Sequence, residues 1–122
     1  MELTGKCKEE FEKWYFKDFE FNEEITNFDR KITLSIFYTE KDSMKYGAFV
    51  DYFDSVKINA DIQPVYNYTK ENYSSIDYFI INVIELGKED YDYKLIEEKN
   101  RPKARAAAIK EANELRNEVL NK

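Results

Sequence analysis

Apolar positions recur with two periods along this chain, about 3.6 residues at its ends and two residues in the middle. In residues 5–19, Cys7, Phe11, Trp14 and Tyr15 fall at i, i+4, i+7 and i+8, one stripe of an amphipathic helix. Lys6–Glu10, Lys8–Glu12 and Glu9–Lys13 are i,i+4 pairs on its wet side, and Thr4 stands where it can cap the start. Residues 43–56 repeat the pattern with Tyr46, Phe49, Val50, Phe53 and Val56, preceded by Asp42 or Ser43 as a cap. Gly47 interrupts this helix at a cost of about 1 kcal/mol relative to alanine, and close packing of helix on sheet accounts for it better than the approach of a ligand. The last helix, 101–121, has Pro102 in its first turn, where a missing amide costs nothing, and then Ala104, Ala108, Ala112, Leu115 and Val119 at helical spacing. Its alanines make a thin face that can lie close to a sheet.

Three strands are predicted between the last two helices. Ile58, Ala60 and Ile62 alternate with Asn59, Asp61 and Gln63, and Pro64 places this strand at an edge or marks a bulge. Residues 76–86 are apolar on both parities, the signature of a central strand. Gly87-Lys88-Glu89 supplies a turn, and Tyr91, Tyr93 and Leu95 alternate in a third strand. In residues 20–42, Ile32, Leu34, Ile36 and Tyr38 alternate with Lys31, Thr33, Ser35 and Phe37, but Phe37 breaks the polar side, so a strand, a short helix and an ordered loop all fit.

The pattern therefore predicts an α+β fold in one domain spanning 1–122: an α-β-β-β-α unit over 43–121, with a three-stranded antiparallel sheet and both its helices on one face. The 5–19 helix precedes it and covers the sheet edge or its second face. Phe11, Trp14, Phe49, Val50, Phe53, Ile80, Ile84, Ala108, Ala112 and Leu115 are the expected core. Phe79, Ile81 and Val83 lie on the other parity of the central strand. If the first helix leaves them bare they form an apolar patch, for which a homodimer or partner contact is the expectation.

Composition narrows the chemistry. The 122 residues include ten Tyr, nine Phe and one Trp, enough aromatic surface for a core in spite of 36% charged residues. Cys7 is the only cysteine and there is no histidine. An intramolecular disulfide is excluded, a reducing compartment fits, and histidine-dependent nucleophile systems and single-chain zinc or iron–sulfur centres lose their ligands. Cys7 sits on the apolar stripe and reads as a packing residue rather than a reactive one. No glycine-rich phosphate loop is present. Asp51 and Asp54 on the second helix, and Glu89, Asp90 and Asp92 near the hairpin, could do acid–base work or hold Mg²⁺ or Ca²⁺. Among 25 acidic residues, however, such pairs are commonplace and read as a solvated face. No catalytic residue, metal site or cofactor is assigned. The N-terminus turns at once to charge and no apolar run approaches bilayer length, so a cytoplasmic protein without a membrane partner is expected.

Charge is distributed unevenly. The formal net charge is −6, made of 12 Lys/Arg against 22 Asp/Glu up to residue 98 and 7 against 3 beyond it. Lys99, Arg101, Lys103 and Arg105 crowd the start of the last helix, where the macrodipole already places positive partial charge, and they form a candidate anion-binding cluster. The competing reading, a screened surface cluster or pairing with Glu97 and Glu98, is the stronger.

Two resemblances follow. Helix, three strands, helix over 43–121, with the alanine-rich last helix entered from Lys99 to Arg105, resembles the double-stranded-RNA-binding domain in topology. Asn100-Arg101-Pro102 replaces that family's glycine-and-lysine signature. The second rests on three segments: Leu3-Thr4-Gly5-Lys6-Cys7-Lys8-Glu9-Glu10-Phe11; Ser43-Met44-Lys45-Tyr46-Gly47 through Phe53-Asp54-Ser55-Val56; and Arg101-Pro102-Lys103-Ala104-Arg105 through Ala112-Asn113. Together they resemble short uncharacterised proteins encoded by bacteriophages and prophages, with Lys57 where glycine is common in that group. The resemblance implies origin and an α+β structure, and no activity. The expected function is that of a non-catalytic accessory protein binding another macromolecule, protein rather than nucleic acid, inside the bacterial host. The alternatives are an acidic inhibitor that blocks a nucleic-acid-binding host factor in counter-defence, or a nucleic-acid or nucleotide binder using the 99–105 cluster.

Overall fold

Ile58, Ala60 and Ile62 of the first strand face the same side as Phe79, Ile81 and Val83 of the second, and that shared side holds the core. The computed structural model describes residues 1–17, 27–69, 72–88 and 94–122. Their elements run α1 (Gly5–Tyr15), α2 (Asn27–Tyr38), α3 (Asp42–Ser55), β1 (Ile58–Thr69), β2 (Asn72–Glu85), β3 (Lys94–Glu98) and α4 (Arg101–Leu120). The sheet is antiparallel in the order β1-β2-β3, so β2 is central and β1 lies at an edge, as Pro64 requires. Next to that proline the register slips between Val65 and Tyr66. The α+β architecture and the antiparallel sheet agree with the sequence pattern; Tyr91 and Tyr93 lie outside the described residues.

α3 and α4 cover one face of the sheet. Ala104, Ala108 and Ala112, at i, i+4 and i+8, are fully buried, which lets α4 run close across the strands. Asn100 caps α4 with its side-chain Oδ1, which accepts the Lys103 amide at 2.9 Å. α3 buries Phe49, Tyr52 and Phe53. It also buries Lys45, whose Nζ reaches Asp42 Oδ1 at 3.3 Å and the Tyr38 carbonyl at 3.5 Å. Gly47 faces open space, with no atom beyond its own helix within 4 Å of a Cβ built there, so close packing against the sheet does not explain it.

Residues 27–38 are a helix. Leu34, Phe37 and Tyr38 turn inward at helical spacing while Ile32 and Ile36 point out, which decides for the helix among the three forms that the sequence left open. Phe11 stands at the centre of the resulting aromatic cluster. Its ring lies 5.1–5.9 Å from those of Trp14, Tyr15, Phe37, Phe49 and Tyr52, joining α1, α2 and α3.

α1 is placed differently from the expectation. It packs against α3 and α4, not over the sheet edge or the sheet's second face. Its start is held by α4: Asn113 Oδ1 accepts the Thr4 amide at 2.9 Å and Asn117 Oδ1 accepts the Cys7 amide at 2.8 Å. Thr4 makes no side-chain cap; its Oγ1 instead accepts from Asn113 Nδ2 at 2.9 Å. The close approach of Asn117 depends on Gly5. A Cβ there would meet Asn117 Oδ1 at 3.0 Å, and the φ of +61° already suits glycine.

Candidate functional site

The candidate anion cluster does not converge. Lys99 and Lys103 border a cleft of ≈ 550 Å³ whose other walls are Asp77, Tyr78, Glu97 and Glu98, so their charge faces carboxylates. Arg101 instead lies over the Phe79 ring at 4.9 Å, and Arg105 lies over Tyr46 at 5.7 Å. The helix start also offers few amides. Pro102 has none, Lys103 donates its own to Asn100, and Ala104 donates to the Asn100 carbonyl at 3.0 Å. At most the Arg101 amide is left for an anion.

Phe79, Ile81 and Val83 are not a surface. They are 4, 0 and 4% exposed, on the face that α3 and α4 cover. The parities of β2 are exchanged relative to the sequence expectation, because both sets are apolar and only the covering helices decide between them. Ile80 and Ile84, expected in the core, are half-buried on the opposite face.

Among the described residues no helix packs on that opposite face. In register, Asn59 stands opposite Ile84, Asp61 opposite Asn82, Gln63 opposite Ile80, and Val65 opposite Tyr78, with Glu97 of β3 on the far side of Ile80. Asn59, Asp61, Gln63 and Glu97 are exposed; Val65, Tyr78, Ile80, Asn82 and Ile84 are half-buried. Among the described residues β1 and β2 contain no lysine or arginine, and Asn82 Oδ1 is shielded from water without a hydrogen-bond partner. No sequence signal singles this face out, since either parity of β2 can serve as a core face.

A polar cluster lies within the helix layer. Arg116 of α4 grips Glu10 of α1 through two bonds of 2.9 Å, Nε to Oε1 and Nη2 to Oε2. Tyr52 of α3 donates to the same Glu10 Oε1 at 2.7 Å. With that proton committed, Cys7 Sγ, 3.8 Å from the Tyr52 oxygen, is the donor of the pair. Arg116 holds the Glu10 carboxyl below its usual range and is itself raised by it. Burial, then the bond to Glu10, pushes the Tyr52 phenol up, and burial lifts the Cys7 thiol to about 11. A thiol so placed is protonated at neutral pH and inert, so the cluster ties three helices together and activates nothing.

Along α2, Phe28, Ile32 and Ile36 are 68, 44 and 60% exposed at i, i+4 and i+8, an apolar line facing outward. Asp51 and Asp54 are exposed on α3, while Glu89, Asp90 and Asp92 lie outside the described residues. No described helix is long and apolar enough to cross a membrane. In comparisons with known proteins, no family model, curated protein or solved structure matches the chain.

Proposed function

We propose that this chain is a non-catalytic accessory protein of phage or prophage origin that binds another macromolecule, a protein in preference to a nucleic acid, in the bacterial cytoplasm. The observation that carries the binding reading is that, among the described residues, helices cover the sheet on one face only, with Tyr78, Ile80 and Ile84 half-buried in the middle of the other. Side chains of that size in a row mark surfaces that a partner covers. The divided basic cluster and the occupied helix start weigh against nucleic acid, because phosphate binding needs convergent cations. The origin is supported by the three segments that resemble phage-encoded proteins.

Affinity capture from bacterial lysate, with the full chain and with Ile84→Glu side by side, tests the reading. The expected result is a protein retained by the first and lost from the second, with both chains equally folded. Retention of nothing, or equal retention by both, overturns it.

A further inference from the structure

α2 is attached to the other helices mainly at its C-terminal end. Phe37 is the only buried side chain among its described residues, and its ring lies 5.0–5.7 Å from those of Tyr15, Phe11 and Phe49. The adjacent Tyr38 donates to Glu12 Oε1 of α1 at 3.0 Å, its carbonyl accepts Lys45 Nζ of α3 at 3.5 Å, and Lys8 lies over its ring at 5.4 Å. Toward its other end α2 stands off from α1. A cleft of ≈ 650 Å³ lies between Lys13 and Phe16 on one wall and Arg30 and Leu34 on the other, crossed by Arg30, which lies over the Phe16 ring at 5.9 Å. Among the described elements α2 alone runs closely along no other element. Its outward side, Phe28, Ile32 and Ile36, is exposed while the helix is docked and so adds little to the docking. Nor does α2 hold itself together well. At 12 residues it is about as short as a helix that is marginal in isolation. Ile32, Thr33 and Ile36 are β-branched, and the Thr33 hydroxyl donates back to the Asp29 carbonyl at 2.8 Å, a bond that adds no helical stability. Its order therefore depends on the seating of Phe37.

We infer that α2 is a detachable strap: it releases and unwinds as a unit while the rest of the described fold stays intact, and its release uncovers an aromatic socket of Phe11, Tyr15 and Phe49 in which Phe37 is the plug. The inference goes beyond the binding reading and does not depend on it, since the socket lies in the helix layer and not on the sheet face. α1 stays in place when α2 leaves, because Asn113, Asn117 and Arg116 of α4 hold it independently. The sheet, α3 and α4 share the core of Phe53, Ile81, Val83, Ala108 and Ala112, to which α2 contributes only through Phe37. A segment with few buried apolar groups opens at a lower free energy than the core it rests on. An apolar side chain that enters the socket competes with Phe37 and shifts the strap toward its open form.

Native-state hydrogen exchange of the isotope-labelled full chain, from zero to low urea, tests this. Amides 33–38 should exchange at least about 100-fold faster than those of Ile81 and Val83, and with a smaller urea dependence, because releasing α2 exposes less surface than unfolding the core. Two substitutions separate the strap from the body. Ile81→Val shortens a fully buried side chain that α2 does not touch, so it should speed exchange at Val83 by about fivefold and leave 33–38 unchanged. Phe37→Ala removes the plug and should speed 33–38 at least about tenfold. Tyr38→Phe, which keeps the ring and loses only the bond to Glu12, should speed them by less, and it carries this arm if Phe37→Ala does not fold. Exchange of 33–38 at the rate and urea slope of Ile81 and Val83 would mean one cooperative unit and overturn the inference. So would an equal response of 33–38 and Val83 to Ile81→Val, or exchange at 33–38 that is indifferent to the loss of the Phe37 ring or of the Tyr38 hydroxyl.

Discussion

Replacing Arg116 with methionine removes both bonds to Glu10 while keeping most of the aliphatic stem packed between α1 and α4. Exposed ion pairs contribute about 0–1 kcal/mol, and breaking a fully buried one costs about 3–5 kcal/mol. The Arg116 and Glu10 side chains are 17 and 32% exposed, between those limits, and the bidentate geometry is good. The Tyr52 hydroxyl still donates to Glu10, so the carboxylate is not stranded. The expected loss for Arg116→Met is therefore about 2 kcal/mol at pH 7, or about 8 °C in Tm for a chain of this size. The loss should also depend on pH. Arg116 holds the folded-state pKa of Glu10 below its ordinary 4.5, so the contribution of the pair is complete above that value and disappears as pH falls through the folded pKa. Urea unfolding of both proteins at pH 7 and pH 3, followed by circular dichroism, reads the difference directly, because the other carboxylates titrate alike in the two and cancel. The gap should shrink to below about half its neutral value. An equal gap at both pH values, or one under about 0.5 kcal/mol at pH 7, would show that the pair does not join α1 to α4 as described.

Further outcomes follow from individual positions. Lys57 occupies a φ of +63° at the exit of α3, so Lys57→Gly should raise stability by about 1 kcal/mol in thermal unfolding. Gly47→Ala should stabilise by up to about 1 kcal/mol, since the added methyl meets nothing; a loss would mean a neighbour sits there. Gly5→Ala should destabilise by about 1–2 kcal/mol through its positive φ and the contact with Asn117, and the amide of Cys7 should lose protection from hydrogen exchange. Cys7 should resist thiol reagents in the native protein at neutral pH and react only at the rate of unfolding; rapid modification would contradict its burial.

How far the sequence could be read depended on whether one pattern had one physical solution. The alanine spacing of α4 and the Phe49–Phe53 pair of α3 admit a single buried face, and both are buried as expected. Pro64 could only sit at an edge or a bulge, and it sits on the edge strand β1, shortly before the register slip between Val65 and Tyr66. β2 was ambiguous because Ile80 and Ile84 are as apolar as Ile81 and Val83. Which set is buried follows from where α3 and α4 lie, a tertiary fact absent from local periodicity. α2 stayed undecided for a related reason: Ile32 and Ile36 are exposed, so alternation and helical spacing competed without a burial signal to decide between them. The polar cluster was out of reach because Glu10, Tyr52 and Arg116 are distant in sequence and each looks like an ordinary surface residue. The basic run at 99–105 was visible, but not its division between carboxylates on one side and Phe79 and Tyr46 on the other.

The central claim is that β2 turns Ile81 into the core and Ile80 toward a partner, and two adjacent substitutions of identical chemistry test it. Ile81 is fully buried, with Ile62 and Ile96 as its register partners, so Ile81→Lys strands an ammonium among aliphatic groups. Ile80→Lys places the same charge on the open face beside Gln63 and Glu97. Urea unfolding should show Ile80→Lys within about 1 kcal/mol of the parent and Ile81→Lys losing more than about 4 kcal/mol, or its cooperative transition altogether. Equal losses, or the reverse order, would mean that the second sheet face is covered and would remove the binding surface from the account.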